Sequence, residues 1–231
     1  EFRRVLFRSA IESVQAQVYP DWELCIADDC STTAEVRDFL RQVAANESRI
    51  KLVFRAANGH ISACSNTALT LCTGQFTALM DQDDLLHPKA LLKVAQCINA
   101  HPDAGMIYSN EDKLGPEGLR ESPSKKAPWH PSLLLEVNHF SHLGVFKTEL
   151  MQAVGGFRIG LEGAQDHDLA LRCSEQIRPD QIHLIPDVLY HWRMHPESTS
   201  ESSNSKPYAV IARNKCIQEH VDRVHHRFYN S

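Results

Sequence analysis

Apolar positions along the chain switch between two periods. Short continuous apolar runs alternate with stretches in which apolar residues recur every three or four positions, the signatures of buried strands and amphipathic helices. Ala10 to Gln17 reads as the tail of a helix that Pro20 ends, and "WELCIAD" follows as a strand running into Asp28 and Asp29. Thr33 to Ala45 is predicted helical, with Val36, Phe39, Leu40 and Val43 on one face. "IKLVFRA" is a second strand, "NGH" a turn, and Ser62 to Cys72 a further helix. "QFTALM" is a third strand. Pro88 then opens a helix carrying Leu91, Val94, Ala95 and Ile98, and "AGMIYSN" is a fourth strand. Strands alternating with helices imply βαβ units and an α/β fold on a mostly parallel sheet.

After Asn110 the rhythm breaks. Glu111 to Ser132 is polar, holds four prolines and two glycines, and is predicted to be a long surface loop. "GVFKTELMQAVGGF" reads as a strand, a short helix and a glycine turn. Asp166 to Gln176 is helical, "IHLIPDVLYHWRMH" is extended, and Pro207 to Arg223 is a last helix. "ESTSESSNS", between these, is poor in apolar residues and predicted to be mobile.

Composition narrows the function. The 231 residues suit one domain, 24 basic against 29 acidic residues give a net charge of −5, and no basic block points to nucleic acid. No apolar run nears the length of a membrane span, so membrane contact is expected to be peripheral at most. Seven cysteines without a C-x-x-C pair suggest free thiols in a reducing compartment, and a cytoplasmic location is expected.

Candidate chemistry gathers where strands end. In open α/β sheets ligands bind beyond the carboxyl ends of strands. Two strands here run into acids, Asp28-Asp29 and Asp81-Gln82-Asp83-Asp84. Clustered carboxylates repel one another unless a cation or donor offsets them, and Mg²⁺ or Mn²⁺ is the natural partner. A calcium loop starting at Asp81 fails, because Leu86 and Leu92 stand where Gly and Glu are needed. No P-loop and no strand-borne G-x-G-x-x-G occurs. D-x-D alone is a weak signal, since Asp also favours caps and turns. Along "HWRMH", period two puts His191, Arg193 and His195 on one side of extended chain.

Several segments in order carry a resemblance. "SVQAQVYPDWELCIADDCST", "NGHISACSNTAL", "ALMDQDDLLHPKAL" and "VGGFRIGLEGAQDHDLALR" resemble the successive signatures of the family 2 glycosyltransferases of GT-A fold, and "IPDVLYHWRMHPESTS" resembles the closing segment of bacterial O-antigen and rhamnan-type members. The resemblance covers Ser13 to about Val224. It implies a single GT-A domain over residues 10–231, with a nucleotide-sugar half at 10–112, an acceptor half at 113–199, and a loop and helix at 200–231. It implies transfer of a sugar from a nucleotide-diphosphate sugar to a glycan or lipid-linked acceptor, with inversion, in bacterial surface polysaccharide synthesis.

By the same resemblance Asp29 or Asp28 accepts a hydrogen bond from the donor's base, Asp81 lies near the ribose, and Asp83 holds a Mn²⁺ or Mg²⁺ ion on the diphosphate. Asp84 either joins them or caps the next helix. Asp166 matches the base that deprotonates the acceptor, with Gln165 where many members have Glu. Asp168, two residues on, does not share its helical face and reads as an orienting acid. His195 is a further metal ligand and Arg193, with His191, a diphosphate contact. His139 and His142 read as structural or acceptor-wall residues, and Trp129 as a wall of the acceptor pocket or as core. Two other classes stay open: a non-catalytic sugar-nucleotide-binding module and a metal-dependent phosphohydrolase or nucleotidyltransferase. "EFRRVLFRS", Glu1 to Ser9, resembles a translated sequencing adapter standing where the family's first strand is expected, and is set aside from the functional reading.

Overall fold

A computed structural model describes residues 2–115, 117–194 and 207–229. Helix α1 (Phe2–Gln15) leads to β1 (Leu24–Asp28), α2 (Ala34–Asn46), β2 (Ile50–Phe54) and α3 (His60–Leu69). Next come β3 (Phe76–Ala78), β4 (Leu85–Leu86), α4 (Ala90–Ala100), β5 (Met106–Leu114) and β6 (Arg120–Ser124). The remainder is α5 (Leu133–Glu136), β7 (Gly144–Lys147), α6 (Thr148–Ala153), α7 (Gln165–Ser174), β8 (Ile182–Arg193) and α8 (Pro207–Tyr229). No helix among the described residues is long and apolar enough to cross a membrane.

The α/β class holds, but the strands are mixed in direction. β1 and β2 pair in parallel as a separate ribbon. The larger sheet runs β3-β7-β5-β8-β4 with β6 on β5, and in it β5 and β8 pair in parallel while the remaining pairs are antiparallel. The reason is β7, which returns antiparallel between β3 and β5.

Central strand β5 buries both faces, as a strand between two layers must. Met106 and Tyr108 join one core with Phe146, Met151 and Leu169 under α6, α7 and α8. Ile107 turns to the other core, with Val145, Ile11, Val14, Leu40 and Val94 under α1, α2 and α4. The strand also continues through Glu111-Asp112-Lys113-Leu114, which the sequence assigns to a loop, and β6 lies inside the same expected loop. Pairing with β8 overrides the polar local sequence there: the ladder runs from Met106↔Ile182 to Leu114↔Arg193. Its register slips between Ser109↔Ile185 and Asn110↔Val188, at Pro186, which has no N–H for the ladder; Asn110 Nδ2 donates to the Pro186 carbonyl at 2.9 Å.

The N-terminal segment set aside above is helical rather than a strand, and it is built into this fold. Leu6 is buried, Phe7 lies edge-on to Phe39, and the Ser9 hydroxyl accepts a 2.9 Å bond from Arg193. α4 begins at Ala90, two residues past Pro88, whose carbonyl instead accepts from Val18 N at 2.9 Å.

Candidate functional site

The turn after β3 brings the second acid cluster to an open cleft of about 1920 Å³. One tyrosine organises it. Tyr190 of β8 takes a hydrogen bond from Asp81 N at 3.0 Å and donates to Asp84 Oδ2 at 2.7 Å. Arg193 N donates to the other Asp84 oxygen at 2.8 Å, and Arg193 Nε to the Asp83 carbonyl at 2.7 Å. Asp84 is therefore buried, while Asp81 opens on the cleft. His142, just before β7, stacks on Tyr190 with ring centroids 4.6 Å apart. Ligand atoms of Asp81, Asp84 and His142 all lie within 4.8 Å of one another.

The electrostatics fit a hard cation. Burial, then the Asp81 charge, pushes Asp84 up to about 8. Surrounding protein, then Asp166 and Asp83, push Asp81 up to about 7; because its side chain is accessible from the cleft, water there screens part of this push. Burial pushes His142 down to about 3, helped by the Lys126 charge, which leaves a neutral imidazole able to ligate. Two crowded carboxylates and a neutral imidazole suit a Mn²⁺-type ion. Behind His142, buried Lys126 pairs with Glu111 at 2.9 Å and donates to the His142 carbonyl.

Asp166 lines the same cleft, at the N-terminal end of α7. Gly163 sets its approach: φ is +89°, and a Cβ there would stand 2.8 Å from Ala209 of α8, so only glycine lets the loop turn against that helix. Asn138 Nδ2 donates to Asp166 Oδ2 at 2.8 Å. Burial raises the Asp166 pKa against the lowering effect of the His167 N–H and Asn138. His167 ties α7 to the Leu134 carbonyl at 2.6 Å. Asp168 faces inward, fully buried between Arg158 and Arg172, whose Nε stands 2.8 Å away. It holds α7 in place and does not reach the cleft.

Other expected residues lie elsewhere. Asp28 accepts from Ser31 N at 2.9 Å. Asp29 accepts from Arg55 Nη1 at 2.8 Å and from Gly59 N at 3.0 Å, closing the loop ahead of α3. Neither lines the cleft. His191 turns the opposite way from the acid cluster, onto Asp112 at 2.6 Å, and Arg193 fixes the acid turn and Ser9 through its guanidinium. The alternation of β8 is real, but Tyr190 and Trp192 are the side chains it turns toward the acids and the cleft. Asp83 is outside the three-residue set, although its charge reaches Asp81. His195 lies outside the described residues. Trp129 belongs to the core, edge-on to Phe140, rather than to the cleft wall. Sequence reasoning missed Tyr190, and it gave His142 a structural or acceptor-wall role without its place beside Asp81 and Asp84.

Residues 4–165 match the sequence model of Glycosyl transferase family 2. The chain belongs to that family. Among curated relatives of this family 2 chain, the uncharacterized protein y4gI of Sinorhizobium fredii is 51% identical over 92% of this chain and 23% of its own length. The O-antigen biosynthesis protein RfbC of Myxococcus xanthus is 35% identical over 94% of this chain and 17% of its own length. The chain thus spans less than a quarter of either. Among solved structures, S. aureus TarS in complex with UDP superposes with a TM-score of 0.69 at 18% identity, over 93% of this chain and 61% of that one. A mannosyltransferase from Pyrobaculum calidifontis, in complex with GDP-Man and Mn²⁺, superposes with a TM-score of 0.63 at 19% identity, over 96% and 60%. These likenesses show the GT-A fold.

Proposed function

We propose that this domain transfers a sugar from a nucleotide-diphosphate sugar to a glycan or lipid-linked acceptor, with inversion, in bacterial surface polysaccharide synthesis. The observation that carries this reading is that Asp81 and His142, with buried Asp84 directly beside them, share one cleft with Asp166. Relatives and neighbours lend support: one is named for O-antigen biosynthesis, and the solved neighbours carry UDP or GDP-Man with Mn²⁺. The cleft is also larger than the usual pocket for one small ligand, which suits two substrates side by side.

In this reading Asp81, Asp84 and His142 hold a Mn²⁺ or Mg²⁺ ion, with Asp83 adding negative charge beside them. A cation so held supplies positive charge against the diphosphate as the sugar departs. Tyr190 keeps the acid turn in one shape, so that the carboxylates need no rearrangement. Asp166 stands as the base: its carboxylate takes the proton of the acceptor hydroxyl as the hydroxyl oxygen attacks the sugar from the face opposite the diphosphate. Asn138 orients the carboxylate, and partial burial raises its basicity. Asp29 holds the loop ahead of α3 through Arg55 and Gly59, outside the cleft.

Titrating nucleoside diphosphates by calorimetry, with and without Mn²⁺, tests the donor half of the proposal. Binding that requires the ion, and is lost on Asp81→Asn and on His142→Ala, is the expected outcome. Ion-independent binding that both variants retain would remove the metal from the reading.

A further inference from the structure

Apart from the acid cluster, the cleft has a second group of reactive side chains. Cys25 is the second residue of β1, opposite Lys51 of β2 in register. Cys72 follows α3, in the segment that leads into β3. The two sulfurs and a Glu23 carboxylate oxygen all lie within 4.8 Å of one another, and both thiols are half-buried on the cleft wall. Lys51 Nζ closes the group, 2.5 Å from Glu23 Oε2 and 2.8 Å from Thr73 Oγ1. Nothing in the proposed transfer uses these residues.

The surroundings favour a thiolate on one of the pair. The hydrogen bond from Cys25, then one from Thr77 and the Lys51 charge, bring the Cys72 thiol down to about 7 against burial and the Glu23 charge; Cys25 is pushed up as its partner. Burial pushes Cys64, Cys97, Cys173 and Cys216 up. None of those four belongs to such a three-residue group among the described residues. A pair with one activated sulfur beside a second is the arrangement in which oxidation ends in a bridge instead of a higher oxide.

We propose that Cys25 and Cys72 form a two-thiol modification site that hydroperoxides close to an intrachain disulfide, tying β1 to the segment entering β3. The Cys72 thiolate attacks a peroxide oxygen, the O–O bond breaks, and hydroxide leaves to become water, giving a sulfenic acid. The Cys25 sulfur then attacks that sulfur, the S–O bond breaks, and a second water leaves with the Cys25 proton. Two thiols are oxidised by two electrons and one peroxide is reduced to two waters. The bridge would join β1 to the segment ahead of β3, and β1 and β3 are the two strands whose ends carry the two acid clusters.

The test treats the folded chain with graded hydrogen peroxide, alkylates the remaining thiols and maps the peptides by mass. The expected first product is a Cys25–Cys72 cross-linked peptide pair, two hydrogens lighter than the reduced pair and restored by reductant. In Cys25→Ser, with its fold checked by circular dichroism, Cys72 should instead be trapped by dimedone as the sulfenic acid. A wild-type chain whose first disulfide joins other cysteines would overturn the proposal. So would Cys72 advancing to sulfinic acid while Cys25 stays alkylatable, or both thiols staying reduced at peroxide levels that oxidise a free-thiol peptide.

Discussion

The two acid clusters at the ends of β1 and β3 look alike in sequence and meet different fates. Asp29 is closed by the chain itself, through Arg55 and two bonds from Gly59 N. Glu23, at the start of the same ribbon, is closed likewise by Lys51, Thr73 and Gly74. Asp81 sends its carboxylate into the cleft, and only its backbone N–H is tied, to Tyr190. Satisfied carboxylates stabilise structure; Asp84 is held by Tyr190 and Arg193 N, while Asp81, crowded against it and open to the cleft, is poised for a cation. Partner accounting separates structural from chemical acids where spacing cannot.

The contrast is broken most strongly at the crowded cluster. Asp81→Asn should weaken Mn²⁺ binding by about 100-fold with little change in melting temperature, since its side chain faces the cleft, whereas His142→Ala should weaken it as much and also lower the melting temperature, since the ring packs on Tyr190. Manganese paramagnetic resonance reads the affinity directly. Unchanged affinity in both variants would mean that the three-residue set is not the ion's site.

At the closed cluster the order reverses. Asp29→Ala should cost about 1–3 kcal/mol of stability by leaving Arg55 and the Gly59 N–H without their acceptor, and should leave Mn²⁺ affinity intact. Urea denaturation and the same resonance titration together check this. Loss of ion affinity without loss of stability would erase the distinction between the clusters.

Glu23 gives the smallest and most specific effect. Burial pushes its carboxyl up, but the Lys51, Thr73 and Gly74 hydrogen bonds win and hold it at about 2, below the ordinary 4.5. A folded pKa below the unfolded one stabilises at neutral pH, and the contribution fades as pH falls from about 4.5 toward 2. Glu23→Gln should therefore lose about 1–2 kcal/mol at pH 7, after allowance for solvent screening, and the gap to wild type should narrow below pH 4.5 and close only as pH falls through about 2. A gap that stays constant with pH would assign the loss to shape instead of charge.

Much of the fold was legible where local signals and packing agree. Val36, Leu40 and Val43 repeat at helical spacing in α2, and "IKLVF" forms β2 as its continuous apolar run predicts. The acid turn and Asp166 were legible as candidates because short motifs carry them. β6 and the second half of β5 were not, because Glu111 to Leu114 is held extended by β8, a strand some seventy residues later in the chain. The places of His142 and Tyr190 at the site were hidden for the same reason: they meet Asp81 and Asp84 only through the β3-β7-β5-β8 sheet order, which no local period encodes. Period two grouped His191 with Arg193, yet it could not say which side of β8 faces the cleft.

Asp166 tests the central claim most directly. Asp166→Asn keeps a hydrogen-bonding side chain of the same size and removes the basicity, along with a charge that Asp81 feels. Comparing its sugar transfer from a nucleotide-diphosphate sugar to an oligosaccharide panel with its donor affinity separates chemistry from binding. The account predicts transfer reduced by about 100-fold to 10,000-fold with donor affinity and Mn²⁺ affinity unchanged. Transfer at the wild-type rate by the folded variant would contradict it.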